Sequence, residues 1–152
     1  MDIFIRQERP EEYSTTVEMV KEAFLHEEYS DKKEHLLVNK IRKSDAFIPE
    51  LSLVAINQSD EVVGHILLSK ITIVDHDKVA DSLALAPVSV APSFQNKGIG
   101  RTCMMTVINE AKEADLPIHL QVLSVNTDAM RFYVRLGFKE IGRNSTHIQM
   151  KR

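Results

Sequence analysis

The residue types that bind phosphate occur together in one short segment of the chain. Residues 95–101 read QNKGIGR and follow an apolar stretch that ends at Ala91. This order predicts a strand, a basic glycine loop and the first turn of a helix. At such a junction several backbone N–H groups point at one place, and the helix dipole adds positive potential there. Because glycine lets the backbone approach an anion closely, we expect the loop to hold the phosphate groups of a cofactor.

The spacing of the glycines narrows the kind of cofactor. A P-loop requires G-x-x-x-x-G-K-[ST], and no such run occurs in the sequence. A dinucleotide fingerprint requires a third glycine at the position that Cys103 occupies here. The spacing that is present is Gln95-x-x-Gly98-x-Gly100. Both common nucleotide-binding loops are therefore excluded.

Two flanking segments make this spacing more specific. Residues 85–92 read LAPVSVAP, and residues 126–138 match the pattern N-x-x-A-x-x-F-Y-x-x-x-G-F. Together with the glycine loop they resemble the GNAT (N-acetyltransferase) family. The resemblance covers nearly the whole chain and is strongest over residues 83–138. It implies that the protein binds acetyl-CoA as a cosubstrate and transfers the acetyl group directly to a primary amine in a ternary complex.

The resemblance also implies roles for individual residues. In the family, backbone amides of the loop hold the CoA pyrophosphate, and the preceding strand contacts the pantetheine arm and polarises the thioester carbonyl. The alternatives are a glycine-containing surface turn and an ordinary buried strand, and an asparagine at residue 126 can also cap a helix. The expected cofactor-binding residues are Val88, Ser89, Val90, Gln95, Asn96, Lys97, Gly98, Ile99, Gly100, Arg101 and Asn126.

Tyr133 matches the position of the usual general acid of the family. Acyl transfer expels a CoA thiolate, and a phenol within hydrogen-bond reach can stabilise or protonate it. The alternative interpretation is a core aromatic residue on an apolar helix face. Phe132 and Phe138, in the same motif, are expected to be packing residues.

The sequence offers no evident general base. A lysine-like ammonium has a pKa of ~10.4 and must lose a proton before it attacks. Many members of the family place a Glu or His on the fourth strand, but residues 83–87 read LALAP. A chain of water molecules or an amine of low pKa would remove the need for a base. Otherwise the candidates are Asp81, His65, His119, Glu27 and Glu28, although each such residue is more often a solvated surface residue than a base.

Composition and residue patterns limit the number of domains, the partners and the metal sites that the chain can have. The 152 residues suit one domain, and the net charge of −3 argues against a general nucleic-acid binder. No apolar run approaches the ~18 residues of a membrane span, and no signal segment is evident, so we expect a cytoplasmic protein without a membrane partner. The six histidines form no H-x-x-x-H or H-E-x-x-H pair, so no metal site is predicted. Cys103 lies in an apolar helical pattern and is expected to be buried.

Hydrophobic periodicity predicts the elements that position these residues. The expected fold is α/β: a single GNAT-type domain over residues 1–152, with a central mixed, splayed sheet and about four helices. The predicted order is β-α-α-β-β-β-α-β-α-β-β, with a helix that begins at an Asp31 cap and a loop at residues 75–78. The sheet is expected to open between a fourth strand at residues 83–90 and a fifth at residues 118–122.

The identity of the acceptor stays open at this point. A small-molecule or peptide amine is expected to contact residues 24–37 and the segment at residues 74–82, which flank the cleft without carrying a CoA motif. A homodimer is compatible with the family. Two other functions remain: transfer of a longer acyl chain, and a non-catalytic module that binds or senses acyl-CoA.

Overall fold

Eight β-strands form one open, mixed sheet in the computed structural model, which describes residues 2–152. Their order across the sheet is β1-β2-β3-β4-β6-β8-β7, and β5 pairs with β3. The β4–β6 pair is parallel, whereas the other pairs are antiparallel. The strands are β1 Phe4–Gln7, β2 Phe47–Ile56, β3 Val62–Asp75, β4 Lys78–Leu85, β5 Ser89–Val90, β6 Ile118–Leu123, β7 Lys139–Arg143 and β8 His147–Lys151.

Four α-helices cover the sheet, which confirms the predicted α/β class. They are α1 Tyr13–Phe24, α2 Glu34–Arg42, α3 Ile99–Glu113 and α4 Thr127–Arg135. Alternate residues of β3 point to opposite faces. On one face, Ile66 and Leu68 belong to the larger apolar core, which includes α3 and against which residues of α4 pack. On the other face, Leu67 belongs to a smaller core with α1 and α2. The chain order of strands and helices is the predicted one, once β4 and β5 are taken as one interrupted strand.

That interruption differs from the continuous fourth strand expected at residues 83–90. Three steps along β3, from Leu68 to His65, oppose four steps from Leu85 to Ser89, so one extra residue is present. Such a bulge bends a strand and raises its twist. Pro87 lies inside the bulge and has no N–H to contribute to the ladder. As a result β6 pairs with β4 only near Leu83, and the sheet opens between β5 and β6.

Two local predictions need correction. The second helix begins at Glu34, and the Asp31 carboxylate accepts instead from the N–H of Lys33 at 2.9 Å, so it forms a turn before the helix. The segment expected to be a loop at residues 75–78 is the turn of a long hairpin, since β3 runs to Asp75 and β4 starts at Lys78. The first difference follows from this short-range hydrogen bond, and the second from the pairing of Asp75 with Lys78 across the turn.

Candidate active site

The glycine loop presents a row of free backbone donors. Asn96 and Gly98 have φ angles of 63° and 82°, in the left-handed region, and the helix begins at Ile99. None of the six N–H groups from Asn96 to Arg101 donates to a backbone acceptor among residues 2–152. The first turn of an α-helix always leaves such donors unpaired, and here the loop adds three more. This is the geometry of an anion site, with Lys97 and Arg101 as the adjacent cations.

The loop is tied to the rest of the cleft by a side chain. The Gln95 amide donates to the Val90 carbonyl at 2.9 Å and approaches the carbonyl of Ala23 at 3.4 Å. Gln95 therefore joins β5 and the end of α1 to the loop, whereas its cofactor-binding role stays a prediction. Ser89 and Ile99, also predicted to bind the cofactor, are buried, at 1% and 3% exposed, and their cofactor-binding role stays a prediction.

Glycine at two positions allows the elements to approach each other. A Cβ on Gly64 of β3 would lie 3.1 Å from the Cβ of Ala55 and 3.2 Å from Ile99 Cγ2. A Cβ on Gly100 would lie 3.8 Å from methyl groups of both Val88 and Val90. The start of α3 therefore sits directly over β3 and β5. Gly64 was not identified from the sequence, because the contact it permits joins distant parts of the chain.

The backbone of β5 faces the opening in the sheet. Ala91 N–H donates to the carbonyl of Val63 at 2.8 Å, so in this antiparallel ladder Ala91 and Ser89 turn toward β3. Val88 and Val90 lie between them in the alternation and turn away, as the Gln95 contact with the Val90 carbonyl also shows. Their N–H groups are therefore directed at the gap between β5 and β6.

Two cavities meet at Tyr133. The first, of about 440 Å³, is lined by Val88, Ser89 and Val90 and by the predicted loop residues Gln95, Asn96, Gly98, Gly100 and Arg101, together with Ala23, Phe24, Glu27 and Phe132. The second, of about 870 Å³, is bounded by the start of α2, the end of β6 and α4, and includes Tyr29, Glu34, Leu37, Asn126 and His147. Tyr133 lines both cavities. The structure thus brings the predicted loop, strand and tyrosine to one place.

The ring of Tyr133 is fixed by aromatic neighbours. Phe132 and Phe138 contact it edge to face, with centroids 5.3 and 5.8 Å away. Phe138 is buried, and its predicted packing role is confirmed, whereas Phe132 also lines the smaller cavity. Burial raises the pKa of Tyr133 to about 12. Its hydroxyl therefore remains protonated at neutral pH.

The sequence predicts two roles for Asn126, cofactor binding and helix capping, and the structure shows the capping role. Its Oδ1 accepts from the N–H of Ala129 at 3.2 Å, which caps α4. The same residue lines the larger cavity. Gly137, with φ of 93°, follows the other end of the helix. Both caps hold Tyr133 in a fixed position along α4.

The candidate bases lie in different surroundings. Asp81 and Glu28 are exposed and line neither cavity, while the exposed Glu27 lines the smaller one. His119 lies in a separate cavity, and burial, helped by the charge of Lys151, lowers its pKa. His65 is completely buried on β3. Within residues 2–152 no group of three or more His, Cys, Asp or Glu side chains is arranged to hold a metal.

A buried ionic cluster around His65 was not foreseen. Glu8 Oε2 accepts from Arg42 at 2.6 Å, and Glu8 Oε1 accepts from the Ser52 hydroxyl at 2.8 Å. Ser52 Oγ in turn lies 3.2 Å from His65 Nε2. Burial acts to raise the pKa of Glu8, but its interactions with His65, Thr16 and Arg42 outweigh burial and lower the pKa to about 2. The sign of this cluster in the sequence was a polar residue in an apolar strand, at a position where the alternation of side chains predicts that the residue points into the core.

Replacing Glu8 with glutamine should destabilise the protein at neutral pH. Arg42 would lose the charged partner of a buried pair, which costs about 3 kcal/mol or more in the free energy of unfolding. The folded-state pKa of Glu8 is about 2 against an ordinary 4.5, so its contribution is complete above pH 4.5 and disappears as the pH falls toward 2. Denaturant titrations should therefore show the difference between wild type and Glu8→Gln closing over that range.

The matched control is Glu140→Gln. Glu140 pairs with Arg143 at the exposed edge of the sheet, where solvent screens the charges. Its free energy of unfolding should stay almost that of the wild type at every pH. Equal stability of Glu8→Gln and wild type at pH 7 would contradict the role given to the buried pair.

A comparison with family models identifies the chain. The model of the acetyltransferase (GNAT) family matches residues 6–138. The chain therefore belongs to the GNAT acetyltransferase family, as its motifs indicated. A comparison with curated proteins found no match. No helix within residues 2–152 is long and apolar enough to span a membrane.

Solved structures share the fold along almost the whole chain. A GNAT family acetyltransferase from Brucella melitensis, in complex with acetyl-CoA, is 28% identical over 97% of this chain and 86% of its own, with a TM-score of 0.76. The PaiA N-acetyltransferase from Thermoplasma acidophilum, in complex with coenzyme A, is 22% identical over 100% and 99%, with a TM-score of 0.74. The ribosomal-protein-S18-alanine N-acetyltransferase from Escherichia coli is 17% identical over 99% and 92%, with a TM-score of 0.72. For the last two the likeness concerns the fold alone.

Proposed function

We propose that the protein is an N-acetyltransferase that moves the acetyl group of acetyl-CoA to a primary amine by direct transfer in a ternary complex. The observation that carries the proposal is the meeting of two cavities at Tyr133, one of them ending at the free amides of the glycine loop. The family membership and the acetyl-CoA bound to the Brucella melitensis protein support it. Residues 1–152 then form one GNAT domain.

The smaller cavity suits the cofactor. The amides from Asn96 to Arg101 would hold the pyrophosphate, with Lys97 and Arg101 as cations. The pantetheine arm would run along β5, whose outward N–H groups at Val88 and Val90 could bond it. One of these N–H groups would also donate a hydrogen bond to the thioester oxygen as negative charge develops there.

The chemistry would occur where the cavities join. The neutral amine nitrogen attacks the thioester carbon, the C–N bond forms, the C–S bond breaks, and the nitrogen releases its extra proton, which restores the Tyr133 hydroxyl after the transfer. Tyr133 would donate its proton to the departing sulfur. A covalent acyl-cysteine is disfavoured, because Cys103 is buried and burial raises the pKa of its thiol to about 11.

The larger cavity suits the acceptor. It combines exposed apolar side chains, Leu36 and Leu37, with groups of both charges, among them Glu34 and Lys40. Its volume of about 870 Å³ leaves room for a small amine or for the first residues of a peptide. The hairpin at residues 74–82, which was expected to share this role, does not line the cavity. The cytoplasmic location, the homodimer and the exclusion of nucleic acid stay predictions.

Release of free CoA in the presence of amines tests the proposal. A panel of small amines and peptides is incubated with acetyl-CoA or a longer acyl-CoA, and thiol release is followed. An N-acetyltransferase releases CoA only when a suitable amine is present, and faster from acetyl-CoA. Preference for the longer chain would indicate a different acyl transferase. Tight CoA binding without release for any amine would indicate a sensing module and contradict the proposal.

Shortening the apolar wall of the larger cavity should affect only the acceptor. Leu36→Ala combined with Leu37→Ala removes partly exposed apolar surface, so the acceptor KM should rise by roughly 3- to 10-fold. The acetyl-CoA KM should stay nearly constant, because neither residue lines the smaller cavity. Val79→Ala, an exposed valine on the hairpin, is the matched control. A collapse of acetyl-CoA binding with an unchanged acceptor profile would reverse the assignment of the two cavities.

A further inference from the structure

An apolar trough lies on the part of the sheet that α1 and α2 leave open. These helices cover β3 around Leu67, and Ile71 and Ile73 follow Leu67 at even intervals, so they lie on the same face. Together with Ile141 of β7 they line a cavity of about 540 Å³, which we call the trough. Neither apolar core includes any of the three isoleucines. Large apolar side chains that are grouped at a surface mark a binding site.

A β-bulge brings Ile141 into the trough. Two steps along β7, from Glu140 to Gly142, oppose one step along β8, from Met150 to Gln149, so Ile141 is the extra residue. A bulge re-aims the side chain at its position, and bulges are over-represented beside functional sites. Ile141 is 55% exposed while it lines the trough. The irregular pairing therefore holds a large apolar side chain at the surface.

The trough continues the larger cavity, the one that suits the acceptor. Gln121 lines both of them. The pairing of β6 with β8 gives the order of residues along this face, from the larger cavity to the far end of the trough. The successive pairs are Leu123–His147, Gln121–Gln149 and His119–Lys151. An acceptor that is longer than the larger cavity would therefore extend past Gln121 into the trough.

The polar groups of the trough suit an uncharged chain that carries amides. Gln121 and Gln149 bring two side-chain amides to the junction, and each offers donors and an acceptor. His119 is the one titratable side chain that lines the trough within residues 2–152. Burial, helped by the charge of Lys151, lowers the pKa of His119, so the ring is neutral at pH 7. The lining therefore carries no charge at neutral pH.

The far end of the trough is basic. Lys151 lies opposite His119 on β8, and Lys139 lies opposite Lys151 on β7. Both lysines are exposed. A ligand segment that reaches this end would be disfavoured if it carried a lysine or an arginine.

We propose that the acceptor is a peptide and that the trough binds one of its apolar side chains, roughly three to five residues from the residue that carries the reacting amine. The proposal rests on the proposed N-acetyltransferase function and adds the class of acceptor. Four residues separate Leu123 in the larger cavity from His119 in the trough, which is about 13 Å at ~3.3 Å per residue. An extended peptide advances by the same rise. Its backbone amides would bond Gln121 and Gln149, and its apolar side chain would contact Ile71, Ile73 and Ile141.

Peptides of different length and sequence test the proposal. A dipeptide is compared with heptapeptides that have alanine or leucine at the fourth residue, counted from the residue with the only free amine. One series carries that amine at the N-terminus, and another carries it on a lysine side chain behind a blocked N-terminus. In the series that is acetylated faster, leucine should lower the acceptor KM by about 5- to 20-fold relative to alanine. Lysine at the same position should raise KM. The value of kcat should hardly change, because the trough lies away from Tyr133 and contributes equally to substrate and transition state.

Ile141→Ser removes one wall of the trough. Because Ile141 is exposed and outside both cores, the variant should fold. The KM of the leucine heptapeptide should rise by about 5- to 20-fold, whereas the KM values of the dipeptide and of acetyl-CoA should not change. Ile141→Val should retain most of the wild-type preference. Val79→Ser is the matched control, since Val79 is exposed on the opposite face of the hairpin and lines neither the trough nor the two cavities.

Several results would overturn the peptide subsite. Equal KM values for all heptapeptides would exclude it, as would acetylation of small amines but of no peptide. An equal rise in KM for the dipeptide and the heptapeptide in Ile141→Ser would show that Ile141 only supports the structure. A changed oligomeric state of Ile141→Ser in sedimentation, with unchanged peptide kinetics, would assign the trough to a second copy of the chain. Wild-type protein that binds CoA but acetylates no amine would overturn the proposed function as well, whereas the other results overturn the subsite alone.

Discussion

Tyr133→Phe should lower kcat by about 10²- to 10⁴-fold on the best acceptor, which is the usual contribution of general acid catalysis. The substitution removes one oxygen and keeps the ring between Phe132 and Phe138, so the melting temperature should change little. Acetyl-CoA affinity should change much less than kcat, because the hydroxyl is needed mainly as charge develops on sulfur. Since the pKa of Tyr133 is raised to about 12, its ionisation should not limit activity at any assay pH near neutrality.

Tyr13→Phe provides the comparison for this prediction. Tyr13 lies on α1, packs against Arg42, and lines neither cavity. Its hydroxyl should be dispensable for catalysis. Steady-state rates of both variants are measured under conditions where chemistry limits turnover. A folded Tyr133→Phe enzyme with undiminished kcat would leave Tyr133 as a packing residue.

Gly98→Val and Gly100→Val should each weaken CoA binding by about 10- to 100-fold. At Gly98 the φ of 82° is unfavourable for valine, and the loop would shift its amides away from the phosphates. At Gly100 the backbone is helical, but the valine methyl groups would enter the space beside Val88 and Val90. Loss of one hydrogen bond to a charged group, at about 1.5–3 kcal/mol, accounts for a change of this size.

Calorimetric titration with CoA measures these affinities. Gly142→Val is the matched control, because Gly142 lies on β7 and a Cβ there meets only the flexible end of Gln149, at 3.2 Å. CoA affinity should be unchanged in the control. Wild-type affinity in both folded loop variants would place the phosphate site elsewhere on the protein.

The features that depend on neighbouring residues were predictable from the sequence. The glycine loop and the helix after it follow from Gly98 and Gly100, and the second motif follows from Asn126 to Phe138. Each combines a turn or cap with a short apolar pattern, so the residues that determine the local structure lie within one segment. The same locality explains why the family could be identified, and the resemblance to the family in turn implied that the loop, β5 and Tyr133 come together.

The features that depend on register were not predictable. Pro87 is evident in the sequence, but the bulge around it is defined by how β3 pairs with β4 and β5, which the sequence does not show. The contact between Ser52 and Glu8 joins residues 44 positions apart, and that between Ser52 and His65 joins residues 13 apart. Periodicity can show that a polar residue points inward, but it does not show which partner on another strand it meets.

Direct acetyl transfer to an amine is the central claim, and mass spectrometry of a single reaction tests it most directly. Protein, isotopically labelled acetyl-CoA and the best acceptor from the amine panel are mixed, and the acceptor, free CoA and intact protein are all quantified. The predicted result is labelled acetyl-amine in equal amount to free CoA, with the protein unmodified at every time point. Label that appears on the protein and is chased onto the amine, or the absence of acceptor-dependent CoA release, would contradict the account.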